Sequence, residues 1–505
     1  MSLDRRSFNT LIAGLPLAAA APATLAQMPR DSVTLGVVLE PQGLDPTISS
    51  AGSIGEVAHL NIFEGLTRIT QDGAVLPLLA EDWGHDEEGK TYTFKLRQNI
   101  RFSDGKPFTS AAVKFSFDRA RAPNSTNKAR QTFFENIKSI TTPDAHTVVL
   151  VLDDADGVAP FRLGENTAVI LHPDSADQAA TRPVGTGPYT LEKWEKGKSL
   201  TLVKWDGHRN ADKVKLRRVT FRFLEDPAAQ VAALRSGNID AMPRFGALQT
   251  LKQFQADRRF VVQVGATSGK GLLAINNRRK PFDDVRVRRA LSHAVDRKAF
   301  IDGAQAGLGT PIGSHFSPLD LGYLDLTKVY PHDPARARAL LREAGITAPL
   351  EATLSLPPPE YARRGGPIIA AQLAQVGIQV KLQNLEWDDW LAGPFKGNFD
   401  LTLINHVEPL DYATAYANPD YYFGYDSAKM RGFVATLLAV PKMSDKGALW
   451  RDIQRQIADD AVNVFIWNPA QVAVARRGLR GLWSNSPIVV NDMAAVSWAP
   501  PATPI

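Results

Sequence analysis

Hydrophobic and polar positions follow two different periods along this chain, and the period changes partway. VTLGVVLEP, from Val33, is a continuous apolar run that reads as a buried strand ending at a GLDP turn. TYTFKLRQNIRF then alternates, with Tyr92, Phe94 and Leu96 on one face, which predicts a half-buried strand. SDGKPF is a turn, and TSAAVKFSFDRAR predicts a short helix capped by Thr109 or Ser110. HTVVLVLDD predicts a further strand, so this first part reads as an α+β lobe.

Helical periods take over later. VKLRRVTFRFL is a strand, followed by a helix with Asp226 as cap, Pro227 first and Gly237 just past its end. After KPFDD, Val287, Leu291, Ala294 and Val295 mark the buried stripe of a helix that Gly303 follows. HDPARARALLREAG predicts another helix, with Asp333 as cap and Gly345 as stop. EATLSLP, IQVKLQNL, FDLTLIN and AVNVFIWN read as strands, and PIIAAQLAQVG, EWDDWL and LWRDIQRQIADD as helices. Ile378, Val380 and Leu382 share one face of the second of these strands. Beyond about residue 270 the expectation is an α/β lobe with a mostly parallel sheet.

Composition narrows the classes. The chain has 505 residues, too many for one compact core, so two or three lobes are expected. Net charge is +5 with both signs interspersed and no basic block, which argues against nucleic acid as partner. There is no cysteine, so disulfides, zinc-thiolate sites and cysteine nucleophiles are excluded. The N-terminus has paired Arg5 and Arg6, an apolar run from Leu11 to Ala21, and small residues to Ala26. This predicts a removable export signal cleaved after Ala26 and a product released into the periplasm. DRRSFN resembles the twin-arginine signal; an ordinary secretory signal carrying two arginines is the competing reading.

One stretch carries the candidate chemistry. HVEPLDYATAYANPDYYF, His406 to Phe423, puts two carboxylates, a histidine and several tyrosines directly after the strand FDLTLIN. Ligands of open α/β sheets bind beyond the carboxyl ends of strands. Glu408 and Asp411 suit a ligand ammonium group, and tyrosines such as Tyr412, together with Trp387, suit ligand side chains. Arg363 and Arg364, after EATLSLP, could fork a ligand carboxylate, against a solvated pair at a helix start. Glu408 and Asp411 could instead be the acid/base pair of an exported hydrolase. No H-E-x-x-H or G-x-S-x-G pattern supports catalysis, and VGTGPY lacks the helix a phosphate loop needs. His406 alone gives no metal site, so neither metal nor cofactor is expected.

Several motifs occur together and in order: LDP at Leu44, NIFEGLTRITQDGAVLPLLAEDW from Asn61, YTFKLRQNIRFSDGKPFTSAAVKFSFDR, VGTGPY at Val184, KPFDDVRVRRALSHAVDR at Lys280, and QLAQVGIQV at Gln372. In this the chain resembles the dipeptide- and oligopeptide-binding periplasmic proteins of ABC importers, solute-binding family five, from about Val33 to beyond Trp467. The resemblance implies an α/β, two-lobed, hinged periplasmic binding protein fold with an extra α+β domain, and no catalysis. It implies a discontinuous lobe I of residues 27–61, 185–273 and 470–505, an extra domain of 62–184, and lobe II of 274–469. The implied partners are a peptide or other small-molecule ligand, an inner-membrane permease and its ATPase subunits, with the binding protein a monomer. Family peptide binders take the ligand's amino terminus with an aspartate in a motif close to D-x-x-D-P. Here HVEPLDY stands in its place, leaving Glu408 or Asp411 for the role. The family also carries sugars, opines and metal chelates, and the sequence does not choose among them.

Overall fold

The computed structural model of the protein describes residues 30–49 and 52–500. The expected export signal and its cleavage point lie outside these residues. Among the described residues no helix is long and apolar enough to cross a membrane.

Three sheets organise the chain. The first has seven strands in the order Phe260–Ala266, Ala470–Arg476, Ala241–Met242, Ser32–Val37, Arg218–Phe223, Ser199–Lys204 and Tyr189–Glu195. It therefore draws on the start, the middle and the end of the chain. Its core is apolar residues from those same segments, including Leu35, Phe63, Tyr189, Phe221 and Met493. The second sheet has four antiparallel strands, Ala80–His85, Thr91–Leu96, Thr147–Leu152 and Ile137–Asp144. Tyr92, Phe94 and Leu96 point into its core, against Val113 and Phe117 of the helix Ser110–Arg121. Thr109 sits at the N-cap of that helix without a side-chain bond, and Ser110 Oγ instead donates to the Asp144 carbonyl.

The third sheet has six strands, in the order Thr310–Pro311, Val464–Asn468, Lys270–Ile275, Leu401–His406, Leu350–Leu356 and Ile378–Asn384. The expectation of a mostly parallel sheet is corrected here. Only Leu350–Leu356 pairs in parallel, with its two neighbours, and every other pairing is antiparallel. Lys270–Ile275 arrives from the first sheet and runs opposite to both its neighbours, Leu401–His406 and Val464–Asn468, which breaks the parallel run. Ile378 is buried, but Leu382 is exposed, because this strand forms the sheet's edge.

Helix punctuation follows elementary capping. Asp226 accepts from the backbone of Ala228 and Ala229, and Gly237 closes the helix at φ 82°. Asp333 caps Pro334–Glu343 through the Arg336 N–H at 2.9 Å. The single helix expected after KPFDD is two helices, Val285–Ala294 and Arg297–Ala304. Asp296 caps the second, accepting from Ala299, so Gly303 lies inside it rather than beyond the first.

Two short crossings join the first and third sheets: Thr267–Gly269, and Pro469. Buried Asn468 ties them, donating to the carbonyls of Thr267 (2.8 Å) and Gly269 (2.7 Å). Thr267 Oγ1 donates to the Pro469 carbonyl at 2.9 Å. Asn468→Ala leaves two carbonyls without their donor, for an expected loss of about 1–2 kcal/mol. The measurement is the urea unfolding midpoint; an unchanged midpoint would show that the tie is not structural.

Candidate ligand-binding site

A cavity of about 520 Å³ opens where the four-stranded and six-stranded units face each other. This is an ordinary size for a small-molecule site, about 300–1,000 Å³. One wall comes from Lys128, Arg162 and Glu165; the opposite wall from Asn405–Asp411, Trp390, Tyr421 and Tyr422. His59, Ile488 and Val489 of the seven-stranded unit close a third side. A second cavity of about 490 Å³ shares Gly52, Asn405, Val407 and Val489 with the first and runs to Arg244 and the hinge.

The chain turns sharply after the strand Leu401–His406. Leu410 adopts φ 56°, a left-handed conformation that costs a non-glycine residue about 1–2 kcal/mol. What holds this turn is a buried polar network. Lys270 Nζ donates to Asp411 Oδ1 at 2.8 Å and to the Glu408 carbonyl at 2.5 Å. His315 Nε2 lies 3.0 Å from both Asp411 oxygens, and His406 Nδ1 lies 3.0 Å from Oδ2. His406 Nε2 reaches the Tyr422 hydroxyl at 3.0 Å. Burial opposes ionisation of Asp411, but His315 and Lys270 more than offset it and hold the carboxyl well below its ordinary value. Burial pushes His315 down to about 4, so its imidazole is neutral at pH 7.

His315, His406 and Asp411 bring three possible metal ligands within 4.8 Å of one another. The Lys270 ammonium already occupies the same carboxylate, and a divalent cation would have to displace it. The cluster is therefore a self-neutralised brace, with His315 Nδ1 buried and unpartnered among the described residues.

Glu408 is placed differently. Its Oε1 pairs with Lys128 Nζ at 2.7 Å across the cavity, from one unit to the other. Burial works to raise the Glu408 carboxyl, yet Lys128 outweighs it and holds the group below its ordinary range.

The sequence candidates thus separate. His406, Glu408 and Asp411 line the cavity together. Tyr412 does not: it is buried, stacks on Phe316 at 5.1 Å and accepts from Trp450 Nε1 at 3.0 Å. Arg363 donates to the Leu385 carbonyl, Arg364 pairs with Glu360 at 3.8 Å, and neither lines the cavity. Trp387 stands outside it, 41% exposed, while Trp390 lines the wall. Sequence reasoning missed Lys270, His315, Lys128 and Glu165. They join the site through sheet pairing and lobe docking, and no local motif marks them.

Two α/β units hinged by two short crossings, with an interior cleft bordered by a third unit, define a two-lobed binding protein. Residues 74–431 match the model of the bacterial extracellular solute-binding proteins, family 5 (middle), and the chain belongs to that family. It is 30% identical over 397 residues to the di/tripeptide-binding protein 1 of Pseudomonas aeruginosa (strain UCBPP-PA14), covering 72% of this chain and 73% of that one. It is 27% identical to the glutathione-binding protein GsiB of Pectobacterium atrosepticum, over 87% of this chain and 89% of the relative. The fold matches the ABC transporter-associated periplasmic binding protein DppA from Helicobacter pylori in complex with the peptide STSA. The TM-score is 0.80 at 24% identity, over 93% of this chain and 98% of that one. The two-lobed α/β fold and the solute-binding role implied by the sequence resemblance both stand. The relatives reported are named as binding proteins.

Proposed function

We propose that the chain is the substrate-binding component of an ABC importer, capturing peptides or peptide-like ligands in the periplasm and handing them to a permease. The export signal, removed near Ala26, delivers it there. Support comes from the family and from relatives named for di- and tripeptides. The observation that carries the reading is the cleft itself: acid groups at the end of the strand Leu401–His406, with Trp390, Tyr421 and Tyr422 on the same wall. In it Glu408 receives the ligand's ammonium, and Asp411 with His406 braces the turn that presents Glu408.

Lys128 now sits on Glu408 as that ammonium would. Ligand binding exchanges one cation for another, and closure follows from contacts better made in the closed state. Catalysis by a Glu408/Asp411 pair gains no support, since both Asp411 oxygens are engaged by Lys270 and two histidines.

Native mass spectrometry of protein taken from its own periplasm, followed by denaturing extraction, tests the reading. A stoichiometric peptide supports it; a neutral sugar or a metal chelate overturns the peptide assignment. Glu408→Gln removes a charge-assisted bond worth about 1.5–3 kcal/mol, so dipeptide affinity is expected to fall about 10- to 100-fold by calorimetry. Unchanged affinity in the folded variant would remove Glu408 from the site.

A further inference from the structure

The charges lining the two cavities do not balance by pairing. Each cation there already has an acid partner: Lys128 with Glu408 (2.7 Å), Arg162 with Asp156 (2.8 Å) and Arg244 with Glu56 (2.9 Å). Half-buried Glu165 lines the first cavity, and among the described residues its carboxylate has no ion pair and no hydrogen bond. Arg162 and Lys128 face it, each already paired, and the acids Glu408 and Asp156 lie close enough to act on it.

Two further polar atoms are unsatisfied at the same cavity. His59 is 1% exposed, and its Nε2 is buried with no partner among the described residues. Burial, with the charge of Arg68, pushes its imidazole down to about 3, so it is neutral, and Nε2 accepts in one tautomer and donates in the other. Asn405 Oδ1 is likewise buried and unpartnered, on the wall both cavities share. Unmet buried polar atoms are costly, so a ligand that meets them gains affinity. Glu165 and Asn405 Oδ1 want hydrogen-bond donors and His59 Nε2 wants a partner. Among the described residues no lining cation stands unpaired, and the Lys128 that a ligand ammonium displaces from Glu408 is the one available to a ligand carboxylate.

We infer that Glu165, with His59 and Asn405, forms a second cation subsite in the cleft, and that the ligand carries a net positive charge and several N–H donors, as a peptide with a basic side chain does. This rests on the cleft being the ligand site. The α-ammonium takes Glu408 and the side-chain cation takes Glu165. Burial, with its acidic neighbours, raises the empty Glu165 carboxyl to about 7 against the pull of Arg162 and Lys128, and a ligand cation removes that penalty.

The test is calorimetric titration of the whole protein with Lys-Ala, Ala-Ala and Glu-Ala, then with spermidine. On the unaltered protein Lys-Ala is expected to bind about 10- to 100-fold tighter than Ala-Ala, the worth of one charge-assisted bond. In Glu165→Gln the ratio of Lys-Ala to Ala-Ala affinity is expected to fall to about one. The ranking on the unaltered protein needs no variant, so it decides even if Glu165→Gln fails to fold. Equal binding of all three dipeptides overturns the second subsite and leaves the peptide reading intact. Binding of spermidine but of no peptide, lost in Glu165→Gln, keeps the subsite and overturns the peptide reading. No binding by any cationic probe overturns the subsite.

Discussion

Lys270→Met is expected to lower the stability of the protein by about 3–5 kcal/mol, the usual cost of removing one partner of a buried ion pair. The lysine side chain is 1% exposed and supplies the positive charge at the centre of the Asp411 network. Both neighbouring histidines are poor substitutes. Burial keeps His315 neutral at pH 7, and His406 is already shared between Asp411 and Tyr422. Methionine fills similar space but leaves the carboxylate uncompensated and frees the Glu408 carbonyl. The turn at Leu410 then loses its support, so ligand affinity falls with stability. Urea unfolding followed by tryptophan fluorescence reads the first effect. A loss below about 1 kcal/mol would mean that Lys270 only fills space. Lys270→Met combined with Asp411→Leu removes both charges and is expected to recover much of the loss, because two apolar groups replace a buried pair at little net cost.

That network also shows where the sequence stopped being readable. Strands with alternating faces were legible: Tyr92, Phe94 and Leu96 are all buried as their period requires. Helix ends marked by Asp, Pro and Gly were legible for the same local reasons. The strand ending at His406, with acids beyond it, was legible as a candidate site. Strand direction in the third sheet was not. Lys270–Ile275 and Val464–Asn468 are wholly buried runs whose pattern carries no sign of their partners. The arginine pair misled through a boundary: PIIAAQLAQVG suggests a helix starting at Pro367, but the helix begins at Glu360. Pro367 costs it only the bond to the Arg363 carbonyl, and the earlier start turns Arg363 and Arg364 away from the cleft. Lys270 and His315 stand 141 and 96 residues from Asp411, beyond the reach of any motif.

Between about pH 4.5 and 7 two sets of buried groups should pull the stability of the protein in opposite directions. One set is three buried histidines. Burial lowers His59 to about 3, and His208 and His315 to about 4. Their folded pKa values lie below the unfolded value, so the unfolded chain binds more protons as pH falls below about 6.5. Stability present above that pH is lost on acidification, on the order of 2 kcal/mol for each histidine by about pH 5. The other is Glu165, raised by burial to about 7. Its sign is opposite: its contribution is full below the ordinary carboxyl pKa and is lost as pH rises through the folded value. Ionising it in the empty cleft costs about 1–3 kcal/mol by pH 8. Asp320 and Asp492, also raised by burial, add in the same direction. Glu165→Gln should therefore raise the melting temperature of ligand-free protein at pH 8 and leave it unchanged at pH 4.5. Melting curves from pH 4.5 to 8.5 for both proteins separate the two contributions. If the variant gains nothing at pH 8, the carboxyl is already satisfied without a ligand. A gain would mean that the cleft keeps a destabilising charge, as expected of a group reserved for a cation that the protein itself does not supply.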